Sequence, residues 1–154
     1  MSKAEITKII GCGNLLLQDE GIGIHLINSL KMQNLPENVE LVDAGCGGFD
    51  IIPHLHGIKK VVIVDAIKTE AEPGAIFKFT PEDFTVEPAP LSSSLHDICL
   101  KEVLMIAQKL GPLPPVIIFG VQPKTIDWGM SLSKELETIL PRLSELVIKE
   151  ALNA

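Results

Sequence analysis

Basic residues are scarce in this chain: 13 lysines and arginines stand against 20 aspartates and glutamates, a formal net charge of −7. Binding a phosphate backbone needs a basic face, so nucleic acid is excluded as a partner. Long apolar runs are also lacking; none approaches the roughly 20 residues that span a bilayer. No hydrophobic leader follows Met1-Ser2-Lys3-Ala4-Glu5, and the expectation is a soluble cytoplasmic protein with no membrane partner. Cysteine is limited to Cys12, Cys46 and Cys99, with no Cys-x-x-Cys pair. An odd, scattered set argues against a disulfide framework and against a zinc ribbon. Cys12 and Cys99 sit in apolar patterns and read as small buried hydrophobes. Cys46, within Ala44-Gly45-Cys46-Gly47-Gly48, has no base beside it, as a nucleophilic thiol would need.

What is present is a core. Of the 154 residues, 46% are hydrophobic and 21% charged, the balance of an ordered chain long enough for one domain over 1–154. Strand and helix patterns alternate. Strands are expected at Ile6–Ile10, Val39–Val42, Lys60–Ala66 and Val116–Gly120, and an antiparallel edge strand at Ala75–Phe79. The run Lys60-Val61-Val62-Ile63-Val64-Asp65-Ala66 is apolar enough for a strand covered on both faces. Helices are expected from about Gly21 to Met32, briefly from Phe49 to His56, from Ser94 or Leu95 to Leu110, and from Ser133 to Ala151 with a break at Pro141. Leu35–Asn38 reads as a turn and Pro81–Pro90 as loop. Strands separated by helices imply parallel pairing with right-handed crossovers, hence an α/β fold: a three-layer α/β/α sandwich on a mainly parallel sheet.

The most informative stretch is Gly11-Cys12-Gly13-Asn14, then Asp19-Glu20-Gly21-Ile22-Gly23. A dinucleotide loop fails here on spacing, because Leu16 stands where Gly-x-Gly-x-x-Gly needs its third glycine, and no Gly-Lys-Ser/Thr follows. Asp19 and Glu20 have a plain reading as a helix cap and a first-turn acid. They also have a functional one, because a loop after the first strand of an α/β sheet lies at the carboxyl rim where ligands bind.

Three acids follow three strands in this way: Glu20 after the first, Asp43 ending the second and Asp65 ending the third. Gathered on one rim they would repel unless a cation or hydrogen-bond donors sat among them. Asp65 is the sharpest clue, a carboxylate at the end of an apolar strand, though a hydrogen-bonding acid at a strand end is equally ordinary. His96, in Ser94-Leu95-His96-Asp97, opens a helix near that rim. His54 and His56 are two apart and do not share a helix face, and His25 lies on a helix body. One imidazole with carboxylates suits nickel or zinc, without choosing between them. Ser92, Ser93 and Ser94 lack an orienting base for a serine triad.

These residues together resemble the hydrogenase maturation endopeptidases: the Gly-x-Gly-Asn…Asp-Glu-Gly-x-Gly block, Val42-Asp43-Ala44-Gly45, Val64-Asp65-Ala66, His96, Glu72-Pro73-Gly74 and Gly120-Val121-Gln122-Pro123. Leu95-His96-Asp97 and Trp128-Gly129 are similar to the branch serving coenzyme-F420-reducing hydrogenases. Cys46 departs from the threonine or small residue of many relatives, which touches a loop and not the ligand set. The resemblance implies an endopeptidase that removes a C-terminal extension from a [NiFe] hydrogenase large-subunit precursor after nickel insertion. It implies Glu20, Asp65 and His96 as metal ligands, nickel carried by the substrate, and no organic cofactor. A carboxylate-assisted attack of water, with Asp43 or one of the ligands as base, is the expected chemistry. The competing expectations are a binding module on the same loops, or a metallohydrolase of small substrates acting alone.

Overall fold

The computed structural model describes residues 1–45, 48–85 and 95–153, with backbone alone at 84, 85 and 95–99. Five strands, β1 (Thr7–Gly11), β2 (Val39–Asp43), β3 (Lys60–Ala66), β4 (Ile76–Phe79) and β5 (Val116–Val121), form one sheet in the order β2-β1-β3-β5-β4. β1, β2, β3 and β5 pair in parallel, and β4 lies antiparallel on β5. The antiparallel edge strand expected at Ala75–Phe79 is therefore present, as β4. The limits differ from the apolar pattern by single residues: β1 runs from Thr7 to Gly11, and β5 extends past Gly120 to Val121.

The helices are α1 (Ile22–Leu30), α2 (Leu95–Leu110) and α3 (Lys134–Leu152). Along β3, Val62 and Val64 face one way and Val61 and Ile63 the other, as the period of two requires. The first pair joins Ile9 and Phe119 in a core closed by Ile22, Leu26 and Ile27 of α1 and by Leu136, Leu143 and Val147 of α3. The second joins Ile10 and Ile118 in a core closed by Leu100, Val103, Leu104 and Ala107 of α2, with Ile51 and Leu55 beside it. Helices on both faces of a mainly parallel sheet make the three-layer α/β/α architecture.

One local expectation is refined and two are corrected. The segment at Phe49–His56 forms a 3-10 helix over Gly48–His54, with Pro53 inside it, because proline withholds the N–H an α-turn would use. The proline-rich stretch begins with a 3-10 turn, Pro81–Thr85; its remainder lies outside the described residues. α3 is not broken at Pro141. That residue sits on the exposed face, where the carbonyl left unbonded one turn earlier meets water, while Leu136, Leu143 and Val147 hold the other face in the core.

Candidate functional site at the carboxyl rim

The order β2-β1-β3 means the chain winds one way from β1 to β2 and the other way to β3 and beyond. In open α/β sheets the crevice outside the strand carboxyl ends, at such a reversal, is where ligands bind. Here the reversal lies between β1 and β3. The turn after β1 carries Glu20, and β3 ends with Asp65 and Ala66.

Glycines decide how closely the two sides approach. A Cβ on Gly23 would overlap the carbonyl oxygens of Cys12 and Val64 and stand 2.7 Å from the Cys12 nitrogen. One on Gly11 would meet the Gly23 carbonyl carbon at 2.7 Å, and one on Gly13 would overlap the Glu20 carbonyl oxygen. Gly13 also has φ +137, a backbone state that side chains disfavour. The first turn of α1 thus lies backbone-on-backbone against the ends of β1 and β3, which brings the Glu20 turn down onto the sheet edge.

Asp19 and Glu20 belong to a 3-10 turn, Gln18–Gly21, that leads into α1. Asp19 does not cap α1; the N-cap is Gly21, with no side-chain bond. Fully buried, the Asp19 carboxylate instead reaches the loop between β5 and α3. Its Oδ2 accepts the backbone N–H groups of Lys124 (2.8 Å) and Thr125 (2.9 Å), and its Oδ1 that of Ser133 (2.7 Å). This first acid of the pair is structural, and no pattern in the sequence announced its partners, because all three are backbone groups. Its neighbour Glu20 is 5% exposed and Asp65 2% exposed.

Asp65 accepts the N–H of Ala66 on its Oδ1 at 2.8 Å. It continues the register of Val61 and Ile63, so it lies on the α2 side of the sheet. The loop after β3 is tied to β5 through Gln122, whose Oε1 accepts from the N–H (2.6 Å) and Oγ1 (2.7 Å) of Thr69. Asp43 is opposite Gly11 in the ladder, and Gly11 is opposite Val64. Two strand spacings, about 10 Å, therefore separate the strand ends that bear Asp43 and Asp65. Asp43 is exposed, and its Oδ1 accepts the N–H of Gly45 at 2.9 Å, a tight turn that Gly45 permits with φ +58.

Cys12 lies between these two acids. Burial, then the charges of Asp65 and Asp43, push its thiol well above the usual cysteine range, so it stays protonated and apolar, as its place after a strand suggested. Cys46 lies outside the described residues. His54 and His56 have structural partners, Lys8 Nζ to His54 Nδ1 at 3.0 Å and His56 Nε2 to the Ala107 carbonyl at 2.8 Å. His25 touches the backbone of Met130, and burial lowers its pKa.

His96 is the second residue of α2, and its side chain lies outside what is described. Its backbone place follows from topology. The end of α2 feeds β5 through residues 111–115, at the amino edge of the sheet. Sixteen helical residues, rising about 1.5 Å each, carry the start of α2 to the carboxyl edge. That is the rim of Asp65, on the same face. Among the described residues no three His, Cys, Asp or Glu side chains group to hold an ion; of the expected trio, two members lie within that description.

A family model described as hydrogenase maturation protease, HycI, matches residues 24–150. A Methanocaldococcus jannaschii protein assigned to the hydrogenase maturation proteases is 32% identical over 97% of this chain and 98% of its own length. The coenzyme F420 hydrogenase subunit delta of Methanothermobacter thermautotrophicus is 31% identical over 92% of each. Among solved structures, the hydrogenase maturating endopeptidase HybD from Escherichia coli superposes with a TM-score of 0.81 at 26% identity, covering 94% of this chain and 91% of that one.

Proposed function

The chain belongs to the hydrogenase maturation protease family, and we propose that it is an endopeptidase removing the C-terminal extension of a [NiFe] hydrogenase large-subunit precursor. On this reading it acts in the cytoplasm after nickel has been inserted and serves the coenzyme-F420-reducing branch. Glu20, Asp65 and His96 contact the substrate's nickel. The observation that carries the reading is the pair of buried carboxylates, Glu20 and Asp65, flanking the crevice at the sheet's reversal, where α2 also begins.

Carboxylate oxygen and imidazole nitrogen suit a borderline divalent ion such as nickel. An ion held jointly by substrate and protease couples cleavage to metal occupancy. The energy of that contact places the scissile bond, so an empty precursor is bound in the wrong geometry or too weakly. Asp43, exposed at the same rim, is the candidate base for the attacking water. Its Oδ1 is engaged by the Gly45 N–H, and the residue is exposed to the solvent from which the attacking water would come.

The test is incubation with nickel-loaded and nickel-free precursor, followed by intact-mass measurement. Loss of mass confined to the C-terminus of the loaded form supports the protease. Intact precursor in a stoichiometric complex would make the chain a binding module. Cleavage of a short peptide with added metal and no precursor would make it an autonomous hydrolase.

A further inference from the structure

Next to the rim lies an apolar strip that the core does not need. Trp128 is 80% exposed, Met130 58%, Leu16 50% and Ile126 36%. Trp128 is the only tryptophan of the chain, and an aromatic ring of that kind can bury about 150–250 Å². Contiguous exposed apolar area of this sort marks an interaction surface more often than a free one.

The strip is built, not loose. Leu17 and Gly129 form a parallel bridge: the Gly129 N–H donates to the Leu16 carbonyl at 2.9 Å, and the Gln18 N–H to the Gly129 carbonyl at 2.8 Å. That register sets Trp128 beside Leu16 and Met130 beside Gln18. The Asp19 N–H donates to the Thr125 carbonyl at 3.0 Å, while the Asp19 carboxylate holds Lys124, Thr125 and Ser133 from below. The apolar side chains are thus displayed on a backbone clamped to the same turn that carries Glu20. A surface ordered before its partner arrives loses little entropy on binding.

We infer that Leu16, Trp128 and Met130 form the docking surface for the folded body of the protease's protein substrate, through an apolar patch on that substrate. This rests on the endopeptidase reading. The occupant follows from continuity. Any protein that brings a peptide bond to the Glu20–Asp65 rim must cover the strip alongside it, whose Leu16 is four residues from Glu20 along the chain. A second copy of this chain seated there would obstruct the rim it is meant to leave open. Trp128 is the anchor, as buried tryptophans are at other protein interfaces.

The test uses full-length protease labelled with 5-fluorotryptophan, which gives a single fluorine resonance. Nickel-loaded precursor carrying an uncleavable extension should shift or broaden that line at stoichiometric amounts. In cleavage assays Trp128→Ser should raise KM at least about tenfold with kcat retained. Met32→Ser, an equally exposed residue (87%) beyond the far end of α1, should leave KM alone. A line that ignores the precursor while wild-type protein cleaves it overturns the docking surface and spares the endopeptidase. A line that moves with the protein's own concentration, alongside dimers in sedimentation, overturns it in favour of self-association. Absence of cleavage by wild-type protein overturns the endopeptidase reading itself.

Discussion

The Oδ1 of Asp19 accepts the backbone N–H of Ser133 at 2.7 Å, across 114 residues of chain. Ser133 is the N-cap of α3, its hydroxyl accepting from Leu136 N–H at 3.3 Å. One buried carboxylate therefore fixes both the turn that carries Glu20 and the start of the longest helix. Asp19→Asn keeps the shape but faces an amide N–H₂ toward at least one backbone donor. Loss of charge-assisted bonds with a donor left unpaired should cost about 3 kcal/mol, or about 6–12 °C in Tm. Denaturant titration measures it, and a change under about 0.5 kcal/mol would make Asp19 mere decoration.

On the proposed reading, in which Asp65 contacts the substrate's nickel, Asp65→Asn separates metal recognition from folding. The amide oxygen can still accept the Ala66 N–H, so the fold should hold. Losing an anionic ligand removes several kcal/mol of metal contact, so kcat/KM for nickel-loaded precursor should fall on the order of a hundredfold or more. Unchanged processing would remove Asp65 from the ligand set.

Gly23→Ala sets two effects against each other. Helix propensity alone favours alanine by about 0.5–1 kcal/mol. The new Cβ, however, overlaps the carbonyl oxygens of Cys12 and Val64, and backbone atoms cannot rotate aside as a side chain would. Overpacking should win, for a net loss of about 2 kcal/mol. Because the displaced residues adjoin Asp65 and the Glu20 turn, cleavage should drop with it. A stabilised, fully active variant would refute the close contact.

Glu150, 9% exposed, pairs with Lys60 and Lys78, tying α3 to β3 and β4 at the edge opposite the rim. Hydrogen bonds from Lys60, then Lys78, lower its pKa. A carboxyl whose folded pKa is depressed stabilises the fold above its unfolded value. That contribution is lost as acid carries the pH below the ordinary glutamate range and through the lowered folded value. Glu150→Gln should therefore be less stable than the parent at pH 7, with the difference shrinking from about pH 5 downward. A gap unaltered by pH would place its role in packing alone.

Sequence alone determined the alternation of strands and helices, the antiparallel edge, and the family, because each rests on local periodicity or on a motif within a short window. It also singled out Glu20, Asp43 and Asp65, since an acid straight after an apolar strand stands out on the page. The continuous course of α3 through Pro141 was not legible, because it depends on which face of the helix meets solvent. Asp19's task was hidden for a related reason: its partners are backbone N–H groups, which every residue but proline has. Only the tertiary structure decided that Gly11, Gly13 and Gly23 interlock backbone to backbone, and so set the Glu20 turn against the end of β3. It alone laid Trp128 beside Leu16. Spacing along a chain encodes the pitch of one helix or the pleat of one strand; the distance between two elements depends on side chains that are absent, and glycine records that absence without naming what comes to fill it.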